Sequence, residues 1–470
     1  MNKYFFLLLF FSNQFTSATV WQVGPSHTYT MPSQVSTLVQ NGDTVDIDAG
    51  NYPSDVCRWQ AHNLLLRGVG GYAQLESNGL SWGDKAIWVI QGNNARVEWI
   101  EFMECTSTSQ NGAGIRQEGL NLTVSHCYFH HNEDGILGGA YSPCKITIEY
   151  SEFAYNGYGD GYSHNLYIGN IDTLVFRYNY SHHCHVGHEL KSRASVNYIL
   201  YNRISNEATG DASREIDLPN GGLAIIIGNE IEQGPNSQNS NIIGFGLEGL
   251  SNPSPHQLYV INNTIVNDRS TGSFLSVLSG TSLLKAYNNI FAGPGTIISG
   301  SVVVVDTSNN FYSTVLNTGF VNASSYDYHL ISSSGAINGG TNPGSAGSFP
   351  LSPVYEYVHI ANVANRIVNA QLDRGAHEYG TTTGIENSEI DFSEINIFPN
   401  PSDGNFSITS KTRIKEVMVN DVSEKNVFEE NCFEAKTISL RAENFSNGIY
   451  FVSVKSENRM LTRRKIIIQK

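Results

Sequence analysis

"YILYNRI", residues 198–204, is followed by "IIIGNEI" at 225–231, "YVINNTI" at 259–265 and "KAYNNIF" at 285–291. Each is a short apolar run, then a polar residue (often asparagine), one further residue, and an apolar residue. The same unit stands earlier in the chain as VEWIEF, VSHCYF, ITIEYSEF and LVFRYNY. These units end at Phe102, Phe129, Phe153 and Tyr180, and the later four at Ile204, Ile231, Ile265 and Phe291. Successive spacings are therefore 27, 24, 27, 24, 27, 34 and 26. Helical repeats of similar length would carry a 3.6-residue apolar period, and these segments do not. They read as short strands with Gly, Asn, Ser and Asp between them.

About this many residues make one coil of a parallel β-helix, with three short strands and three turns. Two positions before the last apolar residue lie Cys127, Asn202, Asn229, Asn263 and Asn289. In a stack of coils these fall above one another. Asparagines so placed at a bend can hydrogen-bond to the backbone of the adjacent coil and to each other, which satisfies polar groups that burial would otherwise strand. The fold expected is all-β: a right-handed parallel β-helix from about residue 19 to 380.

Composition agrees. Of 470 residues 44 are glycine, 24 tyrosine and 22 phenylalanine, and only 15% are charged. That balance suits an all-β chain rich in turns. The net charge of −15 argues against nucleic acid as a partner. Residues 1–18, with Lys3, an apolar run from Tyr4 to Phe11 and a Thr-Ser-Ala end, read as a secretory signal peptide cleaved near Ala18. No later run reaches the roughly 18 apolar residues of a spanning helix, so no membrane span is expected. The mature protein is expected to be secreted or at the cell surface, and to act as a monomer. Its six cysteines, with no CxxC pair, suggest one or two disulfides plus buried thiols rather than a zinc site.

The candidate site comes from alternation along strands. Leu166, Leu190, Ile216 and Ile243 are spaced 24, 26 and 27 and read as the inward residues of one strand per coil. Their neighbours then point outward: Asn165 and Tyr167, Glu189 and Lys191 with Arg193 beyond, Glu215 and Asp217. With coils about 4.8 Å apart and same-face neighbours about 7 Å apart, these seven share a patch roughly 10 Å by 14 Å. Five charges at seven positions stand out in a chain so poor in charge. His164 and His188 are expected inward or at strand ends. His182 and His183 are expected on the preceding turn, within reach of a substrate, and the histidine cluster also raises metal binding. Tyr167, His183 and Arg214 are the candidate substrate-binding residues.

Several stretches resemble known families. "YDYHLISSSGAINGG" (326–340) and "DRGAHEYG" (373–380) resemble the closing segment of secreted bacterial β-helix proteins. Residues 381–394 read as a linker. Beyond it, Phe398-Pro399-Asn400-Pro401, Gly404, Gly448-Ile449-Tyr450 and Lys465 match in order the C-terminal sorting domain of the type IX secretion system of Bacteroidetes. That resemblance implies a small β-sandwich over 395–470, and the secretion machinery as a partner. Finally, "ELKSRASVNYILYNRI" resembles polysaccharide lyase family 6, β-helix enzymes acting on alginate and dermatan-type chains. By that resemblance Lys191 is the base, and Asn165 and Glu189 bind calcium. The family's arginine one coil later falls here on Glu215 and Asp217. Arg214 is adjacent, but alternation turns it the other way unless a bulge intervenes.

Three functions follow from the patch. The first is β-elimination on a uronate polysaccharide: a positioned base takes the proton alpha to a carboxylate whose charge must be neutralised. Arg193 beside Lys191 would favour the free amine. The second is hydrolysis, with Glu215 and Asp217 as an acid and base about 7 Å apart on one face, and Lys191 and Arg193 holding a sulfate or carboxylate. The third is non-catalytic glycan binding at a cell surface. All three imply an anionic polysaccharide as ligand.

Overall fold

The computed structural model describes residues 18–380, 395–398, 402, 404–421, 426–441, 445–456 and 460–468. The expected leader (all but its last residue), the 381–394 linker and the 399–401 turn lie outside the described residues. Two compact units are present, Met1–Thr381 and Thr382–Lys470.

The first unit is a parallel β-helix. Its walls join into one 29-stranded sheet, and every wall pairing is parallel. Each coil contributes one strand to each of three walls. In one central coil these are His188–Ser192 in the first wall, Val196–Leu200 in the second and Arg203–Ser205 in the third. The coil before supplies Leu166–Ile168, Thr173–Arg177 and Tyr180–His182, and the coil after supplies Arg214–Leu218, Leu223–Ile227 and Glu230–Gln233. The inward residues form one continuous core. Phe102, Phe129 and Phe153 stack with centroids 4.9 Å apart, the coil spacing itself. Each large side chain so withdrawn from water contributes about 1.5–3 kcal/mol before conformational entropy is charged against it.

The asparagine ladder exists and is longer than expected. Asn179, Asn202, Asn229, Asn263, Asn289 and Asn310 follow one another up the bend between the second and third walls. Each side-chain amide donates to the next Oδ1 at 2.8–3.2 Å. Each also donates to a backbone carbonyl of the coil before, as Asn202 does to Phe176 O at 2.9 Å. Cys127 and Ser151 start the column, joined through Cys127 N–H to Ser151 Oγ at 3.1 Å. One unit is shifted from its expected register. Ser181, not Tyr180, takes the inward slot, paired with Phe153 and Ile204. Tyr180 faces outward and stacks on His182 at 4.0 Å.

Cys57, Cys105, Cys127, Cys144 and Cys184 are all buried and free, so the expected disulfides are absent among the described cysteines. Residues 320–380 fold back along the outside of the coils. Phe320 and Tyr328 cover Val266 and Ala292 on the third wall, and Leu351 covers Ile225 and Ile227 on the second. The "DRGAHEYG" segment fastens this extension. Gly375 N–H donates to Asn288 O at 2.7 Å, Arg366 and Glu378 pair at 2.7 Å wholly out of water, and His377 hydrogen-bonds Glu230. Burial opposes charge on His377, but Glu230 and Glu356 outweigh it and push its pKa up to about 9.

The second unit pairs Ile395–Phe398, Asn405–Asp421, Asn426–Arg441, Gly448–Ser456 and Met460–Ile468 into an antiparallel sheet. The Gly448-Ile449-Tyr450 strand pairs with the basic C-terminal strand, with Phe451 opposite Lys465. Ile408, Val417, Val419, Val452, Val454 and Ile466 are its buried core.

Candidate functional site

The inward register of the first wall is as expected. Leu190 pairs with Ile216 and Ile216 with Ile243, all fully buried. The outward row beside them is Leu137, Tyr167, Lys191, Asp217 and Gly244, one residue per coil. Tyr167, Lys191 and Asp217 are therefore on one wall in adjacent coils.

Strict alternation fails at the start of these strands. His188 pairs with Arg214, and pairing resumes at Leu190–Ile216, so Glu189 and Glu215 fall in a local irregularity. Both turn inward instead of outward and are fully buried. Glu189 Oε2 accepts from Asn165 Nδ2 at 2.5 Å and Ser181 Oγ at 3.0 Å, and its Oε1 from Cys184 N–H at 2.8 Å. Here the inward Ser181 finds its use. Burial pushes the Glu189 pKa up to about 8 in spite of those donors. Glu215 accepts from Asn206 Nδ2 at 3.1 Å and Gln233 Nε2 at 3.2 Å. Burial first, then the nearby Glu232 charge, raise its pKa well above the usual carboxylate range.

Three expectations change with this turn. Glu215 and Asp217 do not share a face, so the acid/base pair of the hydrolytic reading is not formed. Asn165, expected outward, is also fully buried, its Oδ1 accepting from Asn156 Nδ2 at 2.9 Å. Asn165 and Glu189 spend their oxygens on interior donors and offer none to the outer wall, so they do not fit a calcium ion beside a substrate there. Among the described residues no group of three or more His, Cys, Asp or Glu is disposed to hold a metal ion.

The same irregularity brings Arg214 and His188 to the outer side. Arg214 Nη1 hydrogen-bonds Asp217 Oδ1, and His188 Nε2 lies 3.8 Å from Asp217 Oδ2. Gly244 makes room: a Cβ there would come 2.9 Å from Arg214 Nη1. The arginine that the lyase resemblance calls for one coil after the lysine is thus on the lysine's face. Lys191 Nζ lies 3.4 Å from Asp217 Oδ2. Arg193 donates through Nε to Tyr167 OH at 2.9 Å and through Nη1 to Asn220 Oδ1 at 2.7 Å.

Behind this row His164 and His188 pair at 3.1 Å, and His164 Nδ1 accepts the His188 backbone N–H at 3.0 Å. Both pKa values lie well below the ordinary imidazole range, His164 through burial and then His188, and His188 through burial and then Lys191 and Arg214. Two neutral imidazoles therefore back three cations. His183 is not part of this group. It bonds Thr209 and His182 and packs on Tyr155 at the end of the third wall.

One residue was missed in the sequence. Glu248 bridges Lys191 and Arg193, with Oε1 2.7 Å from Nζ and Oε2 2.5 Å from Nη2. Burial works against its charge, but hydrogen bonds from Lys191 and Arg193 prevail and its pKa is lowered. Its only signal in the sequence is an acid between glycines in "GFGLEGL" (244–250), just past the strand where the polar face fades.

Residues 62–211 match the family model described as right handed beta helix region, and residues 396–469 match that of the secretion system C-terminal sorting domain. This is a secreted or cell-surface β-helix protein. No helix among the described residues is long and apolar enough to cross a membrane. Among solved structures, the crystal structure of pectate lyase Pel9A is similar to this β-helix protein at 13% identity and a TM-score of 0.44, covering 77% of this chain and 97% of that chain. No curated protein sequence matches it significantly.

Proposed function

We propose that the protein cleaves an anionic, uronate-containing polysaccharide by β-elimination on the first wall. The observation that carries this reading is the gathering of Lys191, Arg193 and Arg214 on one wall, beside Tyr167 and Asp217, across three adjacent coils. Three cations face two carboxylates there, in a chain of net charge −15. A polyanion meets a locally positive patch at this wall. Export by the sorting domain delivers the protein to where such polymers are found.

In this reading the Lys191 side chain is the group that takes the proton from the sugar carbon alpha to the carboxylate. The electron pair left behind forms the ring double bond, and the glycosidic oxygen on the adjacent carbon departs. Arg193 and Arg214 offset the charge that builds on the carboxylate, a role preorganised donors fill best where water is scarce. Asp217 holds Arg214 and Lys191 in register. Tyr167, fixed by Arg193, offers its ring and hydroxyl to a bound sugar.

The test is incubation of the secreted protein with alginate, pectin, ulvan, carrageenan and glycosaminoglycans. Elimination produces an unsaturated sugar with ultraviolet absorbance. New reducing ends without that absorbance would mean hydrolysis, and retention of polymer without cleavage would mean a binding protein.

A further inference from the structure

We propose that the Glu248 carboxylate occupies the place a ligand's carboxylate takes, so that Lys191 and Arg193 form a carboxylate subsite closed by the chain itself. The identity of the ligand as a uronate rests on the function proposed above. The subsite itself rests on geometry.

Glu248 lies over the two cations. Its side chain is 46% exposed, against 11% for Lys191 and 23% for Arg193. One oxygen serves each cation, as two-point recognition of a planar carboxylate requires. The cations do not depend on it for their positions. Without Glu248, Lys191 still has Asp217 at 3.4 Å, and Arg193 still has Tyr167 and Asn220. Glu248 reaches the site from 57 residues beyond Lys191, on a short turn and not on the wall.

The turn is anchored at both ends, by Gly246 N–H to Leu218 O at 2.8 Å and Asn252 N–H to Asn220 O at 3.1 Å. Between them Gly246 and Gly249 have φ of +73° and +121°, and a Cβ on Gly249 would meet nothing within 4 Å. The Glu248 backbone N–H also donates to Pro219 O at 3.1 Å, so the turn stays in place and only the half-exposed Glu248 side chain has to swing aside. A half-exposed ion pair contributes little, so one carboxylate can replace another at little net change. A uronate carboxylate in that place would set its alpha carbon, one bond away, beside Lys191 Nζ. Departure of Glu248 also removes one of the two partners that occupy the Lys191 amine.

The test is thermal melting of the full-length wild type, Glu248→Ala and Glu248→Gln, with added glucuronate or, as neutral control, glucose. Glucuronate is expected to stabilise both variants, half-saturating at a concentration about tenfold lower than in the wild type, a difference of about 1.4 kcal/mol. Glucose is expected to have no effect. Variants no more responsive to glucuronate than the wild type, or equally responsive to glucose, would overturn the proposal. Glu248→Gln keeps the side-chain volume and carries the test if the alanine variant folds poorly. Cleavage of polyuronates by the same proteins is scored separately. Glucuronate-responsive variants without cleavage would uphold the subsite and remove the lyase reading, whereas cleavage without that response would do the reverse.

Discussion

Glu189 and Lys191 are two residues apart on one strand, as are Glu215 and Asp217 one coil on, yet their surroundings are opposite. The glutamates are sealed inside the coil, where Asn165, Ser181, Cys184, Asn206 and Gln233 supply their hydrogen bonds. Lys191 and Asp217 stand on the outer wall and bond chiefly to other charged groups. The inner pair serves the stack, and in the proposed function the outer pair serves a ligand. Charge alone does not separate structural from functional residues here; the direction of the side chain does.

That division can be broken by experiment. The largest effect is expected from Lys191→Ala: elimination should fall by about 10²- to 10⁴-fold, the usual share of a general base, with the melting curve nearly unchanged. Ultraviolet assay and circular dichroism of the same sample decide it; full activity would return Lys191 to a structural part. Next comes the reverse pattern. Glu189→Ala takes the acceptor from the buried Cys184 N–H and weakens the bonding of Asn165 and Ser181, and should lower stability on the order of 2 kcal/mol in denaturant titration. Activity per folded molecule should persist, and a protein equally stable but inactive would make Glu189 functional after all. Asp217→Asn should cost about tenfold in rate, because it loosens Arg214 and Lys191 without removing either; a loss as deep as that of Lys191→Ala would promote Asp217 to a reacting group.

The subtlest effect concerns pH. Glu189 and Glu232 have folded-state pKa values raised from 4.5 to about 8, and His377 from 6.5 to about 9. In each case the folded state holds its proton more tightly than the unfolded chain. The stability this confers is complete below the unfolded value and drains away as pH climbs through the folded one. Melting temperature should thus decline from about pH 4.5 to 8 through the glutamates and from about 6.5 to 9 through His377. His377→Gln should flatten the upper part only; an unchanged slope there would deny the histidine its part in fastening the C-terminal extension.

Much of this molecule was legible before any coordinates. The asparagine column works because each residue bonds to its counterpart one coil away, so the interaction repeats with the sequence and shows as a period. The leucine and isoleucine register of the first wall was equally plain, since apolar residues in a solenoid meet only the coils above and below. Tyr167, Lys191 and Asp217 followed from that register by simple parity.

What escaped is what strict alternation does not show. The irregularity between His188 and Leu190 turns two glutamates inward and brings an arginine to the outer side; it recurs in neighbouring coils, where pairing likewise skips Gly114, Gly135, Ile242 and Phe274, but those positions carry no charge and so gave no sign of it. Ser181 replaced Tyr180 in the core because Glu189 needed a donor inside, a partner eight residues away and round a bend. Glu248 arrives from two coils off on a glycine turn. The sequence by itself determined the stack, because stacking is a nearest-neighbour interaction written again in every coil. Only the tertiary structure decided which charges face outward, because that depends on how the backbone turns at the start of the strand and on contacts, such as that of Glu248, which no repeat relates.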